Sequence, residues 1–343
     1  MILFHSDYQE GAVAAVLEAL QTTNELQTVG YGEDELTARA KAQIRTLCEA
    51  PNADVHFFVG GTQANLTVIA AALRPFEGVL SSDLGHINTH ETGAVEATGH
   101  KVLTLPHTDG KISAQQILDA YEAHIHDVTH EHIVRPAMVY LSHPTELGTL
   151  YTRAELDAIH RVARRCGLRL FIDGARLAYG LAADETVSLP YLASICDAFT
   201  IGGTKCGLLF GETAVLKSAK DWPYFRYHIK QRGALLAKGR LLAVQFQALM
   251  EQNRYAALAK AANSGARRIR EAFLRKGFPL LCDTQANQVF PILPNGALQT
   301  LEQSFAFAFW AAVDAEHTAV RISVSVTTPE QNVNALCGAV EAL

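Results

Sequence analysis

Three short segments bring together residue types that can do chemistry in concert. The first is Gly60-Gly61-Thr62, continuing into Gln63-Ala64-Asn65. Two glycines let a ligand approach the backbone, a following helix start offers free N–H groups, and Thr62 adds a hydroxyl; together these suit one phosphate. A tight strand-to-helix turn with no ligand is the other reading. Neither of the two common nucleotide-binding glycine patterns occurs, which weighs against a nucleotide. The second segment is Phe171-Ile172-Asp173-Gly174-Ala175-Arg176. A carboxylate closing so apolar a run should be partly buried and needs a partner. A protonated ring nitrogen would serve, as would the amides of a helix that Asp173 caps. The third is Ile201-Gly202-Gly203-Thr204-Lys205-Cys206-Gly207. Small neighbours confine Lys205, and desolvation lowers an amine's pKa toward the range that Schiff-base chemistry needs. A lone loop lysine is more often solvated. The conjunction is more specific than any member, with Lys205 following Asp173 by 32 residues, one strand–helix–strand step.

Those segments need elements to aim them, and the surrounding sequence supplies a repeating alternation. Helical spacing runs through Ala12, Val13, Val16, Leu17 and Leu20, and again through Leu36, Ala40, Ile44 and Leu47. A β-rich run at 55–59 leads through the first glycine segment into an Ala/Leu/Ile-rich helix ending at Leu73. Short apolar runs follow at 102–105, 137–141, 168–172, 198–201 and 208–209, several separated by helical stretches. Thr152-Arg153-Ala154-Glu155 reads as a capping box. This pattern predicts an α/β architecture with a mainly parallel sheet, whose strand carboxyl ends are where ligands bind. Beyond about residue 245 the pattern changes. A helical region over 234–276, broken near Gln252-Asn253, precedes strand-like 288–293, 305–310 and 320–326. A last helix follows, with Thr328-Pro329 as its N-cap and first-turn proline. The expected division is therefore a large domain at 1–245 and a smaller α+β domain at 246–343.

Composition narrows the partners. With 343 residues, 49% hydrophobic and 19% charged, the chain can bury a sizeable core. Its formal charge of −6, without a basic run, argues against a nucleic-acid partner. No apolar stretch approaches the ~20 residues of a membrane span. The start, MILFHSDYQEG, lacks signal-peptide features, and the six scattered cysteines fit reduced thiols, so a cytoplasmic location is expected. His124, His126, His130 and His132 suggest a metal cluster, but no cysteine or carboxylate frame at a known spacing accompanies them, so no metal is expected.

The segments FVGGTQANL, DLGHINTHETGA, LFIDGARLAYGL and TIGGTKCG resemble the threonine aldolase/β-eliminating lyase group of fold-type-I enzymes that use pyridoxal 5'-phosphate (PLP). Counterparts run from HSDYQEG to VRISVSV, nearly the whole chain. The resemblance implies that Lys205 carries the cofactor as a Schiff base, Gly61 and Thr62 hold its phosphate, and His86 stacks on its ring. Asp173 would pair with the ring nitrogen and Arg176 with the phenolic oxygen. Ser6 and Arg321 would grip the substrate carboxylate. The alternation in 320–326 agrees, setting Val320, Ile322, Val324 and Val326 on one face and Arg321, Ser323 and Ser325 on the other. His143 matches a site where aldolases carry a histidine, a general base for the substrate β-hydroxyl. Glu91, one turn on, either orients His86 or faces water, and Lys238 and Arg240 are placed to reach a neighbouring subunit's phosphate.

The implied fold is the fold-type-I PLP-dependent transferase fold, a large domain with a helix-flanked, mainly parallel sheet plus a smaller C-terminal α+β domain. The implied function is cleavage of L-threonine, L-allo-threonine or related β-hydroxy-α-amino acids to glycine and an aldehyde. A PLP-dependent β-eliminating lyase is the alternative, and a non-catalytic PLP-binding protein stands behind it. The amino-acid substrate is the expected small-molecule partner, and the resemblance implies a homodimer or homotetramer with shared active sites.

Overall fold

The structure is a computed structural model describing residues 1–343. A two-residue strand, β1 (Ile2–Leu3), opens the chain. Seven strands then build the main sheet: β2 (Asp54–Phe58), β3 (Glu77–Ser82), β4 (Val102–Leu105), β5 (Arg135–Ser142), β6 (Arg169–Asp173), β7 (Ala198–Gly202) and β8 (Glu212–Leu216). They lie in the order β2-β8-β7-β6-β5-β3-β4. Only β8 runs antiparallel to its neighbours, β2 and β7. The remaining pairings are parallel.

Strand parity explains the two layers around this sheet. Val139, Leu141, Leu170 and Ile172 enter a large core with Leu156 and Ile159 of helix Arg153–Cys166 and Ile269 of helix Arg254–Arg275. Met138, Tyr140 and Phe171, on the intervening positions, pack with Val68 and Ile69 of helix Gly61–Ala72. Burying one such side chain contributes roughly 1.5–3 kcal/mol. Both faces being covered is what makes these strands read as continuous apolar runs. The capping box forms: the Glu155 amide donates to Thr152 Oγ1 at 3.3 Å, and the Thr152 amide to Glu155 Oε2 at 2.7 Å.

A smaller sheet follows, made of β9 (Gln288–Val289), β10 (Ile292–Pro294), β12 (Ala308–Ala312) and β13 (His317–Ser323), all pairing antiparallel with β13. Between them β11 (Phe305–Ala306) pairs parallel with β1. No helix is long and apolar enough to cross a membrane.

Several expectations need correction. β3 and β8 were not foreseen, because both EGVLSS and ETAVL begin on a carboxylate and only a short apolar stretch follows it. Glu77 is nonetheless buried, paired with Arg135 at 3.0 Å. Leu208-Leu209 forms no strand but belongs to the tight turn ahead of β8. A division at 245 would cut helix Arg240–Met250, which packs on helices Ala14–Thr22 and Glu35–Leu47. The backbone bends instead at Gln252 and Asn253, both left-handed. The first residues also pair with the C-terminal part rather than with the main sheet. Thr328 does not cap the last helix, Glu330–Ala342: its hydroxyl accepts from the Ser325 amide at 2.8 Å, and Pro329 holds the cap position.

Candidate active site

At the carboxyl ends of β6 and β7 the backbones press together. A Cβ on Gly174 would lie 2.1 Å from the Thr200 carbonyl oxygen, and one on Gly202 would lie 2.2 Å from that of Ala175. Glycine at both positions is therefore a packing requirement, and it brings the Asp173 and Lys205 loops side by side. Lys205 sits in a single 3-10 turn, Thr204–Cys206, whose entry is fixed by the Gly203 and Thr204 amides donating to the Gly211 carbonyl, both at 3.0 Å. The Tyr179 hydroxyl donates to the Lys205 carbonyl at 2.6 Å.

Asp173 follows the parity of Tyr140 and Phe171, on the side of helix Gly61–Ala72. Its Oδ2 accepts from Asn65 Nδ2 at 2.7 Å and from the Tyr140 hydroxyl at 2.6 Å, and its Oδ1 from the Ala175 amide at 2.9 Å. Burial alone would raise its pKa. The charges of His86 and Lys205 and the bonds from Tyr140 and Asn65 outweigh burial and hold the carboxyl below its ordinary value. Asn65 also donates to Glu91 at 2.8 Å, and Glu91 Oε1 meets His86 Nδ1 at 2.7 Å. One buried amide therefore links Asp173 to the imidazole. The orienting role expected for Glu91 matches this geometry, and it leaves Nε2 of His86 as the free ring nitrogen.

A cavity of about 320 Å³ opens between these groups, lined by Gly60, Gly61, Thr62, His86, Asp173, Arg176, Lys205 and Glu212 among others. A second, of about 310 Å³, is lined by His90, Trp310 and Arg321. The two share Tyr8, His86, Glu146, Arg176 and Lys205. Desolvation and the Arg176 charge lower the Lys205 pKa, against the pull of Asp7, Glu212 and Asp173. Burial raises that of Glu212, which faces the same lysine.

Arg176 gives Nε to Asp7 Oδ2 at 2.6 Å and Nη2 to Asp7 Oδ1 at 3.1 Å. Asn287 adds a bond to the same Oδ2 at 2.9 Å. Burial would raise the Asp7 pKa, but Arg176, Lys205 and Asn287 bring it down to about 2. Arg321 donates to the His5 carbonyl at 3.2 Å and lies 5.8 Å from the Trp310 ring centre.

Not every expected residue reaches the cleft. His143 shares the parity of Leu141 and is fully buried on the opposite side of the sheet. It lies 6.5 Å from the Tyr151 ring and close to Gly180, and it lines neither chamber. Ser6 is buried and lines neither chamber; Tyr8 does so instead. Arg240 is spent on the carbonyls of Thr23 and Asn24 at 2.8 and 3.2 Å, while Lys238 is exposed. His124 and His130 meet edge-on at 6.0 Å, and no group of three or more His, Cys, Asp or Glu side chains is arranged to hold a metal ion. Tyr8, Asn65, Tyr140, Glu146 and Glu212 were missed. Only Tyr140 carried a usable signal, a polar tip two residues before the end of an apolar strand.

A family model described as beta-eliminating lyase matches residues 4–294. The chain belongs to the beta-eliminating lyase family. With that family come the enzyme class and the cofactor: a lyase that works through pyridoxal phosphate. Among curated relatives, a low specificity L-threonine aldolase of Pseudomonas aeruginosa is 32% identical over 303 residues, 87% of this chain and 86% of that protein. A protein of the same description from a Pseudomonas species is 29% identical over 99% of this chain and 97% of its own. Among solved structures, a Leishmania major threonine aldolase superimposes with a TM-score of 0.96 at 39% identity, covering 100% of this chain and 99% of that one. An aspartate aminotransferase of Thermus thermophilus gives 0.73 at 16% identity over 100% and 91%, a likeness of fold alone. The architecture is that of fold-type-I PLP enzymes.

The lyase's own residues fit the cofactor. A Cβ on Gly60 or Gly61 would meet nothing within 4 Å, so the space beside the first turn of helix Gly61–Ala72 is open. Gly60 gives that turn no side-chain cap, so its amides are free for a phosphate. Asp173 offers a buried anion to a ring N–H, and Lys205 an amine to an aldehyde.

Proposed function

We propose that this lyase cleaves L-threonine, L-allo-threonine or related β-hydroxy-α-amino acids to glycine and an aldehyde. The observation that carries the reading is the pair of chambers. Gly61, Thr62 and Asp173 line only the first; Arg321, Trp310 and His90 line only the second; Lys205, His86 and Arg176 stand between. The descriptions of the Pseudomonas and Leishmania relatives support the same reading.

Bound PLP supplies an aldehyde carbon and an aromatic ring that can hold the electron pair of a broken bond. The chain's residues do the rest. The first-turn amides at Gly61 and Thr62 would hold the phosphate, and Asp173, its pKa held down, would keep a proton on the ring nitrogen. His86, its Nδ1 fixed by Glu91, would cover the ring. Arg176 keeps enough free guanidinium in both chambers to bind the phenolic oxygen while paired with Asp7. Desolvation lowers the Lys205 pKa, which favours the neutral amine, the form that can attack a carbonyl or take a proton. Arg321 receives the substrate carboxylate in place of the Ser6–Arg321 pair expected earlier. A carboxylate fixed there would orient the bonds at Cα.

β-Elimination from aromatic or other β-substituted amino acids uses the same frame with a different bond aligned, and the family description keeps it as the second reading. A product assay on the holoenzyme decides. Threonine should yield acetaldehyde and glycine, with Lys205→Ala losing about 10³-fold or more of the activity. Pyruvate and ammonia from serine, cysteine or aromatic substrates would establish the rival. Amino acids that leave the holoenzyme spectrum unchanged would mean a binding protein.

The same proposal includes a homodimer or homotetramer. Val29, Tyr224 and Tyr227 are 68%, 76% and 76% exposed, and Tyr31 is tied to this face through Arg226 and Lys230. Exposed aromatic and apolar side chains of this kind are suited to cover by a second copy. Lys238, not Arg240, is the cation left to reach a neighbour's phosphate. A fully active monomer by light scattering would refute this. The reduced thiols, all six unpaired, support a cytoplasmic enzyme.

A further inference from the structure

With His143 outside the cleft, the β-hydroxyl proton of the proposed aldol cleavage has no assigned acceptor. Only one carboxylate lines both chambers. Glu146 is buried, at 9% exposure, and lies where the cofactor space opens into the space beside Arg321. Its Oε1 accepts from the Ser142 hydroxyl at 2.5 Å and from the His86 amide at 2.7 Å. Both donors are themselves anchored, Ser142 at the end of β5 beside Asp173 and His86 by Glu91. Oε1 is therefore held in place, and Oε2, to which no other residue donates, is the oxygen available to a ligand.

We propose that Glu146 is a catalytic residue of this lyase, the general base that takes the β-hydroxyl proton of the substrate through Oε2. The assignment rests on the aldolase reading above. The proton balance closes without a co-reactant. The hydroxyl proton passes to Glu146, and the former O–H pair becomes the second bond of the aldehyde carbonyl. The Cα–Cβ pair stays with the Cα fragment, and return of one proton to Cα gives glycine. Amino acid enters; glycine and aldehyde leave. In the reverse direction protonated Glu146 donates to the new alkoxide.

Burial raises the Glu146 pKa, while the Ser142, His86 and main-chain donors oppose the rise. His86 also favours its charged form, Tyr140 and Tyr151 are the buried hydroxyls that feel its charge, and Arg176, Arg321 and Lys205 line the same space. A base whose pKa is raised toward the working pH accepts and returns a proton more readily than an ordinary surface glutamate.

The test separates this step from the rest of the site. Exchange of the glycine α-proton in deuterated water needs the cofactor, Lys205 and the carboxylate grip, but no β-hydroxyl. Glu146→Gln keeps the size of the side chain and removes its basicity. In the holoenzyme, Glu146→Gln should lower kcat for threonine cleavage by about 10²–10⁴-fold and abolish the acid limb of its pH profile. It should leave glycine exchange within a few-fold of wild type. Glu146→Asp should restore part of the cleavage and the acid limb. Equal losses of cleavage and exchange, with weaker PLP binding by fluorescence titration, would show a structural residue and overturn the assignment. So would cleavage in Glu146→Gln that keeps its rate and acid limb. A wild-type enzyme giving pyruvate rather than acetaldehyde would instead sink the aldolase reading, whatever the variant does.

Discussion

His143 has both ring nitrogens buried without a hydrogen-bond partner, packed beside Tyr151 under the sheet. Desolvation pushes its pKa down to about 4, although Asp184 and Glu155 pull the other way. In the unfolded chain the ring titrates near 6.5. The folded pKa lies below the unfolded one, so the unfolded state takes up the proton first as the medium is acidified. Stability is therefore lost between about pH 6.5 and pH 4, by about 2 kcal/mol from pH 7 to pH 5. Urea melts at those two pH values should show wild type losing that much more than His143→Gln. Equal losses would mean the ring is not held neutral. Parity is the signal that could have placed this histidine. Ser142 shares a face with Tyr140, and His143 follows Leu141 into the helix layer. Glu146, three residues later, carried no comparable mark. Its position depends on a turn after β5 and on His86 arriving from 60 residues upstream.

The ends of β6 and β7 interlock through glycine. Gly202→Ala would drive a methyl group against the Ala175 and Gly174 carbonyls, so the strands must part or the Lys205 turn must shift. We expect a loss of about 1–3 kcal/mol in stability, read as a urea midpoint, together with weaker PLP binding. A variant that retains both would show that the two loops are not in contact. How much of this was legible follows from where each element gets its stability. The strands at 55–59, 137–141, 168–172 and 198–201 are buried on both faces, so their composition announces them. β3 and β8 are buried too, yet Glu77 and Glu212 open them, and their burial depends on partners distant in sequence. The three loops of the site could be read because each follows a legible strand. Ser6 could not be placed, because it sits on no periodic element.

Across the whole molecule, Asp7 ties three distant parts together: its own segment, Arg176 after β6, and Asn287 before β9. Its carboxylate is fully enclosed in a bidentate pair, and removing one member of such a pair leaves a buried charge uncompensated. Asp7→Asn should therefore cost about 3–5 kcal/mol, measured as a lowered urea midpoint at pH 7. The Asp7 pKa, about 2 when folded, lies below the ordinary 3.8. The wild-type advantage is thus complete above pH 4 and fades as pH falls toward 2. Matching midpoints of the two proteins at pH 7 would show that the pair carries no net stabilisation.

The pairing of β1 with β11 reaches further. Phe4 accepts from the Ser323 amide at 2.7 Å, and Ile2 lies opposite Phe305. On the ribosome the opening residues emerge first, but their partners are synthesised some 300 residues later. The Asp173 and Lys205 loops can form beforehand, leaving Arg176 without Asp7 held in place beside it. A chain cut before Ser323 would carry the cofactor lysine on a sheet whose opening segment, Asp7 included, has lost the Ser323 amide that anchors it.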